Sequence, residues 1–318
     1  MSDLTVTAPG TPASATSSRP GSGSGTPSTP LRDTSRPRGR RWWSEIGWRH
    51  VVGVVAIVYC VIPLLYVLSA SLNPGGTLTG SNDLFRTVDR ANYAELFGTD
   101  FPSWFVNSLL VSSVTAVGTV LMGGAAAYAF SRFRFSGRRA TLTTLLLVQM
   151  FPQMLAVVAI FLLLLALGDV FPALGTDNHL ALIMVYLGGA LGVNTFLMYG
   201  FFNTVPREID EAARIDGATH AQIFWTIVLR LVAPILAVVG LLSFVGTYGE
   251  FIIAKTVLQS SEKLTLAVGL YQWASDERNA PWGLFAAGAV LAAIPILVLF
   301  LFLQKYIVGG LTAGSVKG

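Results

Sequence analysis

The chain has 318 residues, 53% of them hydrophobic and only 12% charged, with a formal net charge of +4. Soluble domains carry about 25% charged residues, so this composition excludes an ordinary water-exposed surface and points to a membrane protein. A single cysteine, Cys60, excludes an internal disulfide framework, and the three histidines, His50, His179 and His220, lie too far apart for metal-ligand spacing.

Residues 1–40 include the run TPASATSSRPGSGSGTPSTP. Such a segment buries too little apolar surface to offset chain entropy, and it is expected to be a disordered cytoplasmic tail. Arg40 and Arg41 resemble a twin-arginine signal, but the apolar run 51–70 exceeds the 7–15 residues of a signal-peptide core, which favours a retained span. The remainder, 41–318, is expected to be one transmembrane domain.

Six segments are long and apolar enough to cross a ~30 Å hydrocarbon core at ~1.5 Å per residue: 51–70, 104–130, 142–167, 180–202, 232–254 and 282–303. The predicted fold class is therefore an all-α integral membrane protein with six transmembrane helices. Gly188 with Gly192, and Gly288 with Ala292, have the spacing that lets helix backbones approach. Pro152 interrupts the third segment, with Gln149 and Gln153 one turn apart on one face. These glutamines either line a water-filled path or bond across helices. Glu250 is the one acid within a segment. It lies near the outer end, where it is either an interfacial carboxylate or a lining group of the path.

Lysine and arginine set the orientation. Seven precede Val51, four lie in 131–140, three in 203–231 and two after residue 303, against five in the alternate connections. Both termini and the connection after the fourth segment are thereby expected in the cytoplasm. This distribution fits membrane orientation, and not nucleic-acid binding.

That connection, FFNTVPREIDEAARIDGATHAQIFWTIVLRLVAP (201–234), has helical logic of its own. Pro206 suits a first turn, and acids at 208, 210 and 211 favour the positive helix end. Arg207 with Glu211, and Asp210 with Arg214, are spaced as i,i+4 pairs. Ile209, Ala212, Ala213 and Asp216 are expected on one face, Gly217 is a natural stop, and an amphipathic second helix carries Ile223, Phe224, Ile227 and Val228. The residues alone allow a plain amphipathic connector. The small Ala212–Ala213 surface beside a carboxylate also suits close approach of another protein.

EAARIDGA (211–218), followed by an apolar stretch and a proline, resembles the EAA loop of the permease subunits of ABC importers. Glu211, Ala212, Ala213, Asp216, Gly217 and Ala218 carry the match. Arg230 stands where the family has a proline after leucine, and Pro234 follows a turn later. LLLVQMFPQ (145–153), LTLAVGLYQW (264–273) and GLTAGSVKG (310–318) resemble the MalG-type subunit of maltose and maltodextrin importers.

The resemblance implies type I importer architecture with EAA coupling helices. It implies a second, MalF-like permease subunit, two cytoplasmic ATPase subunits that hold the ATP, and an extracytoplasmic sugar-binding protein, all assembled with membrane lipid in the bacterial inner membrane. The chain lacks G-x-x-x-x-G-K-[ST], so no cofactor and no catalytic or metal residue is expected here, and ATP hydrolysis falls to the partner. By the same resemblance Glu211, Ala212, Ala213, Asp216 and Gly217 meet the ATPase, and so does the tail Gly310, Leu311, Thr312, Ala313, Gly314, Ser315, Val316 and Lys317. Tyr271, Trp273, Ser275, Asp276, Glu277, Arg278 and Asn279 meet the binding protein. Gln149, Gln153 and Glu250 are the candidates for lining the pathway, on the lining reading given for each above. The expected cargo is maltose, maltodextrin or a related α-glucoside, with trehalose as an alternative. A secondary transporter or channel would call for charged relay residues at mid-membrane, and a membrane enzyme for a nucleophile–base or metal cluster. The segments supply neither.

Overall fold

The computed structural model describes residues 43–74, 84–85, 87–275 and 280–313; the side chains of 44, 45, 153 and 307–313 are not described. Described residues up to Ile57 and those from Val58 onward form two compact units, the boundary falling inside α1 (Trp48–Ser71). The expected tail 1–40 lies outside the described residues.

The second unit is mostly helical, with no strand among its described residues. After α1 come α2 (Ala91–Leu96), α3 (Phe101–Arg132), α4 (Arg138–Gln149), α5 (Gln153–Val170) and α6 (His179–Phe202). Then follow α7 (Arg207–Ile215), α8 (His220–Leu231), α9 (Ala233–Tyr248), α10 (Ile252–Val257), α11 (Leu266–Ala274) and α12 (Trp282–Ala313).

Four described helices, α1, α3, α6 and α12, are long and apolar enough to cross a membrane unbroken. Two further spans are bent pairs: α4 with α5, at 100°, and α8 with α9, at 81°. Six spans result if each pair counts as one. The first bend follows from sequence, since Pro152 has extended backbone and cannot continue α4. It also separates Gln149 from Gln153. The two end up on different helices, and not one turn apart on a common face. The second bend sits at Val232, with Pro234 in the first turn of α9, so the break that Arg230 does not make is made a turn later. The segment expected over 232–254 is likewise divided, and Glu250 falls in the gap between α9 and α10.

α3 is the central helix and packs on α6 and α9. Its buried stripe is small and weakly polar: Ser108, Ser112, Thr115, Thr119, Gly123 and Ala127. Without a hydrophobic drive between helices in lipid, close van der Waals packing of small residues holds spans together. Gly123 is a point of close approach, for a methyl there would run into the end of Met198 on α6. Gly192 packs against the Gln149 side chain and Gly288 against Leu270 and Phe101, whereas Gly188 has open space before it.

Two cores lie at opposite ends of the bundle. One gathers Phe101, Trp104, Leu182, Tyr186, Tyr248, Val257, Leu264 and Leu284 at the starts of α3, α6 and α12. The other gathers Ala127, Tyr128, Met198, Phe202, Ala213, Ile223, Val228 and Ile235 at the far ends of α3 and α6, around α7 and α8.

Candidate functional site

α7 and α8 form the helix–glycine–helix that the sequence suggests. Pro206 precedes α7, and Gly217, at φ +86°, ends it. Gly217 N–H donates to the Arg214 carbonyl and Ala218 N–H to that of Ala213, both at 2.9 Å. This is a Schellman closure, and it needs the left-handed residue that glycine supplies. Thr219 then starts α8 with a reciprocal cap: Thr219 N–H donates to Gln222 Oε1 at 2.8 Å and Gln222 N–H to Thr219 Oγ1 at 3.3 Å.

The faces of α7 differ from the sequence expectation. Asp210 and Ala213 are buried and Ile209 half-buried, turned to the second core. Ala212 and Asp216 are exposed, so they do not share a face with Ala213. Glu208, Glu211, Ala212 and Ile215, at i, i+3, i+4 and i+7, make up the opposite, exposed face. Ile215 is 87% exposed, the largest value among the exposed large hydrophobics described. The i,i+7 spacing from Glu208 was the signal that could have found it.

The local charge pairs do not form either. Arg207 Nη2 donates to the Ser131 carbonyl at 2.7 Å, Asp210 Oδ2 sits 2.8 Å from Arg132 Nε, and Arg214 turns to His220. Among the described residues Glu211 has no ion-pair partner, so its carboxylate stands free beside Ala212 and Ile215.

A second feature is a cavity of about 900 Å³ between α4, α5, α6 and α9. Gln149 and Glu250 both line it, with Tyr186, Gly188, Gly189, Thr247 and Ile253. The Gln149 amide donates to the Gly189 carbonyl across helices. Gln149 thus bonds across helices and also faces the cavity. The Glu250 carboxylate accepts from Tyr186 Oη at 2.5 Å, Ile253 N–H at 2.9 Å and Ala254 N–H at 3.0 Å. It therefore caps α10 and ties that helix to α6.

At the bundle end opposite α7, Tyr271 is exposed, its ring 4.6 Å from Phe251 with Lys255 Nζ 4.3 Å above it. Trp273 is half-buried against Trp104, at 5.0 Å. Trp104 Nε1 donates to the Ser261 carbonyl at 2.7 Å. Ser275 closes α11, and Asp276–Asn279 lie outside the described residues. Of the expected tail site, Gly310–Ala313 continue α12 as backbone and residues 314–318 lie outside.

A latch joins two connections at this same end. Asp177 accepts from Ser260 Oγ at 2.6 Å, from the N–H groups of Gln259 and Ser260, and from Lys263 Nζ at 3.0 Å. Partial burial opposes ionisation of Asp177, but these hydrogen bonds outweigh it and hold the carboxyl well below the usual carboxylate range. Sequence gave no sign of this pairing, because the partners lie in connections far apart along the chain.

The pattern of the family described as "Binding-protein-dependent transport system inner membrane component" matches residues 119–312. The chain is 42% identical over 265 residues to the galactooligosaccharides transport system permease protein GanQ of Bacillus subtilis, covering 82% of this chain and 92% of that protein. It is 42% identical to the maltodextrin transport system permease protein MdxG of Bacillus subtilis, covering 83% and 92%. It is 38% identical to the maltose/maltodextrin transport system permease protein MalG of Photorhabdus laumondii, covering 89% and 99%. A chain of a bacterial ABC transporter involved in the import of the acidic polysaccharide alginate has the same fold, with TM-score 0.72 at 24% identity over 85% of this chain and 99% of that one. A chain of a bacterial alginate ABC transporter in complex with an alginate pentasaccharide-bound periplasmic protein gives TM-score 0.59 at 16% identity, over 83% and 96%. Helical architecture, matched pattern and relatives agree, and this chain belongs to the family of binding-protein-dependent transport system inner membrane components.

Proposed function

We propose that this chain is one permease subunit of an ATP-driven, binding-protein-dependent carbohydrate importer, of the maltose/maltodextrin type. The observation that carries the reading is the exposed face of α7. A carboxylate without an ion-pair partner (Glu211), a small residue (Ala212) and an 87% exposed isoleucine (Ile215) stand opposite a back face on which Asp210 and Ala213 are buried and Ile209 half-buried. Covering Ile215 would remove apolar surface from water, and the small Ala212 and the Glu211 carboxylate beside it suit the close approach of a separate ATPase subunit.

Relatives named for maltodextrin, maltose and galactooligosaccharides support a neutral oligosaccharide as cargo. The cavity beside Gln149, Tyr186 and Thr247 offers amide and hydroxyl groups toward such a solute. In this reading the charge asymmetry, 16 of 21 basic residues in one set of connections, puts both termini and α7 on the cytoplasmic side. The connection around α11 then faces the binding protein, and a second permease subunit completes the pathway. ATP stays on the partner ATPase.

The test is uptake by proteoliposomes holding this chain, the second permease and the ATPase, supplied with binding protein. The panel is maltose, maltodextrin, galactooligosaccharide and trehalose. ATP-dependent accumulation of at least one sugar is expected. Uptake that persists without ATP or the ATPase would favour a secondary transporter, and uptake of none would overturn the reading.

A further inference from the structure

The back of α7 holds a cluster that docking does not use. Arg132, the last residue of α3, has its side chain 6% exposed, and Asp210 of α7 11% exposed; Nε and Oδ2 are 2.8 Å apart. Arg132 Nη1 also donates to the Phe202 carbonyl at 3.2 Å and Nη2 to that of Val205 at 3.1 Å. The preceding residue repeats the tie: Ser131 Oγ donates to Asn203 Oδ1 at 2.9 Å, and the Ser131 carbonyl accepts from Arg207 Nη2 at 2.7 Å. One guanidinium thus clamps the end of α3 to the end of α6, to the connection after it and to α7.

The chain path makes this cluster matter. α7 follows α6 directly and leads through α8 into α9, but no stretch of backbone near α7 leads to α3. A load on α7 reaches α3 through packing at Ala213, through Arg207 on the Ser131 carbonyl and through Arg132. Apolar packing alone allows two surfaces to slide. A planar guanidinium that donates to two carbonyls, and whose charge is paired with a buried carboxylate that has no hydrogen-bond partner of its own, does not. A buried ion pair is also weak evidence for stability, since apolar residues of like volume often do as well. A role in fixing geometry therefore accounts for it better than a role in holding the fold.

We propose that Arg132 and Asp210 are positioning residues for transport: they make α7 and the end of α3 one rigid body, so that a displacement of α7 tilts α3 against α6 and α9. This rests on the reading of α7 as the helix that an ATPase moves.

The experiment measures sugar imported per ATP hydrolysed, per assembled complex, in proteoliposomes with binding protein. Asp210→Asn keeps the shape of the side chain and removes its charge. Arg132→Lys keeps a charge opposite Asp210 and removes the planar guanidinium. Asp210→Asn is expected to lower import per ATP about 5-fold or more, within the roughly 5- to 150-fold range of site-to-site coupling. The assembled complex still hydrolyses ATP. A purely structural role would lower the yield of complex and leave the ratio unchanged, and that result would overturn the proposal. If Asp210→Asn does not assemble, Arg132→Lys decides: a reduced ratio supports the joint, and a wild-type ratio overturns it. Absence of ATP-driven uptake by the unmodified complex would overturn the underlying reading and the joint with it. Normal uptake with an undiminished ratio in the variants would overturn the joint alone.

Discussion

Gly269→Ala is a one-methyl change with a large expected effect. Gly269 is buried in α11 and lies flat on Trp104, and a methyl there would overlap the six-membered ring of the indole. The ring has nowhere to go. It is 2% exposed, it rests 5.0 Å from the Trp273 ring, and its N–H is committed to the Ser261 carbonyl at 2.7 Å. Overpacking of this kind costs about 1–3 kcal/mol. Displacing the indole also breaks its hydrogen bond, about 0.5–1.5 kcal/mol net and more if the donor stays buried. Against this stands the better helix propensity of alanine, up to about 1 kcal/mol. The balance is a loss of about 0.5–3.5 kcal/mol. The assay is thermal unfolding of the purified complex, read by tryptophan fluorescence and by the fraction that elutes as intact complex after heating. An unfolding midpoint equal to or above wild type would refute the packing of α11 on Trp104.

Other positions give sharper contrasts. Ala213→Leu should overpack the core at Phe202 and Ile223 and lower stability by about 1–3 kcal/mol, while Ala212→Leu should leave the midpoint unchanged and impair ATPase recruitment; the reverse pattern in melts and co-purification would contradict the assignment of faces. Asp177 has a folded pKa below its unfolded value of about 3.9, so its stabilising contribution is complete above that value and lost only as pH falls through the lower folded one. Asp177→Asn should therefore lower the melting midpoint by the same amount at pH 5.5 and pH 8; a deficit that vanishes by pH 5.5 would show that Asp177 titrates in that window.

Much of the fold was legible because the apolar segments that cross a membrane must be long and nearly continuous. Hydropathy averages over a window, however, and it smoothed over the breaks at 150–152 and 249–251. Pro152 marked the first in plain sight. The second follows from Glu250 capping α10, which needs Tyr186 and the N–H groups of Ile253 and Ala254 in place. The α7–Gly217–α8 motif was readable because its closures are local, spanning only a few residues of chain. Its orientation was not. Ala212 and Ala213 are the same residue type, and only packing against Phe202 and Ile223 decides which one is inside. The nearest opposite charges along the helix, Arg207–Glu211 and Asp210–Arg214, gave the wrong pairs. An exposed i,i+4 pair contributes only a few tenths of a kcal/mol, and the buried partner Arg132, brought in by tertiary folding, wins Asp210.

Whether the exposed face of α7 receives the work of an ATPase is decided by Glu211→Ala and Arg207→Ala in reconstituted complexes. Stimulation of ATP hydrolysis by sugar-loaded binding protein and ATP-dependent uptake are measured together. A desolvated bond to the Glu211 carboxylate contributes about 1.5–3 kcal/mol, so Glu211→Ala should cut both readouts roughly 10- to 150-fold with the complex still folded. Arg207→Ala, which loses a bond to the Ser131 carbonyl on the back of the helix, should do less. Wild-type stimulation and uptake in Glu211→Ala, or equal damage from Arg207→Ala, would contradict the claim.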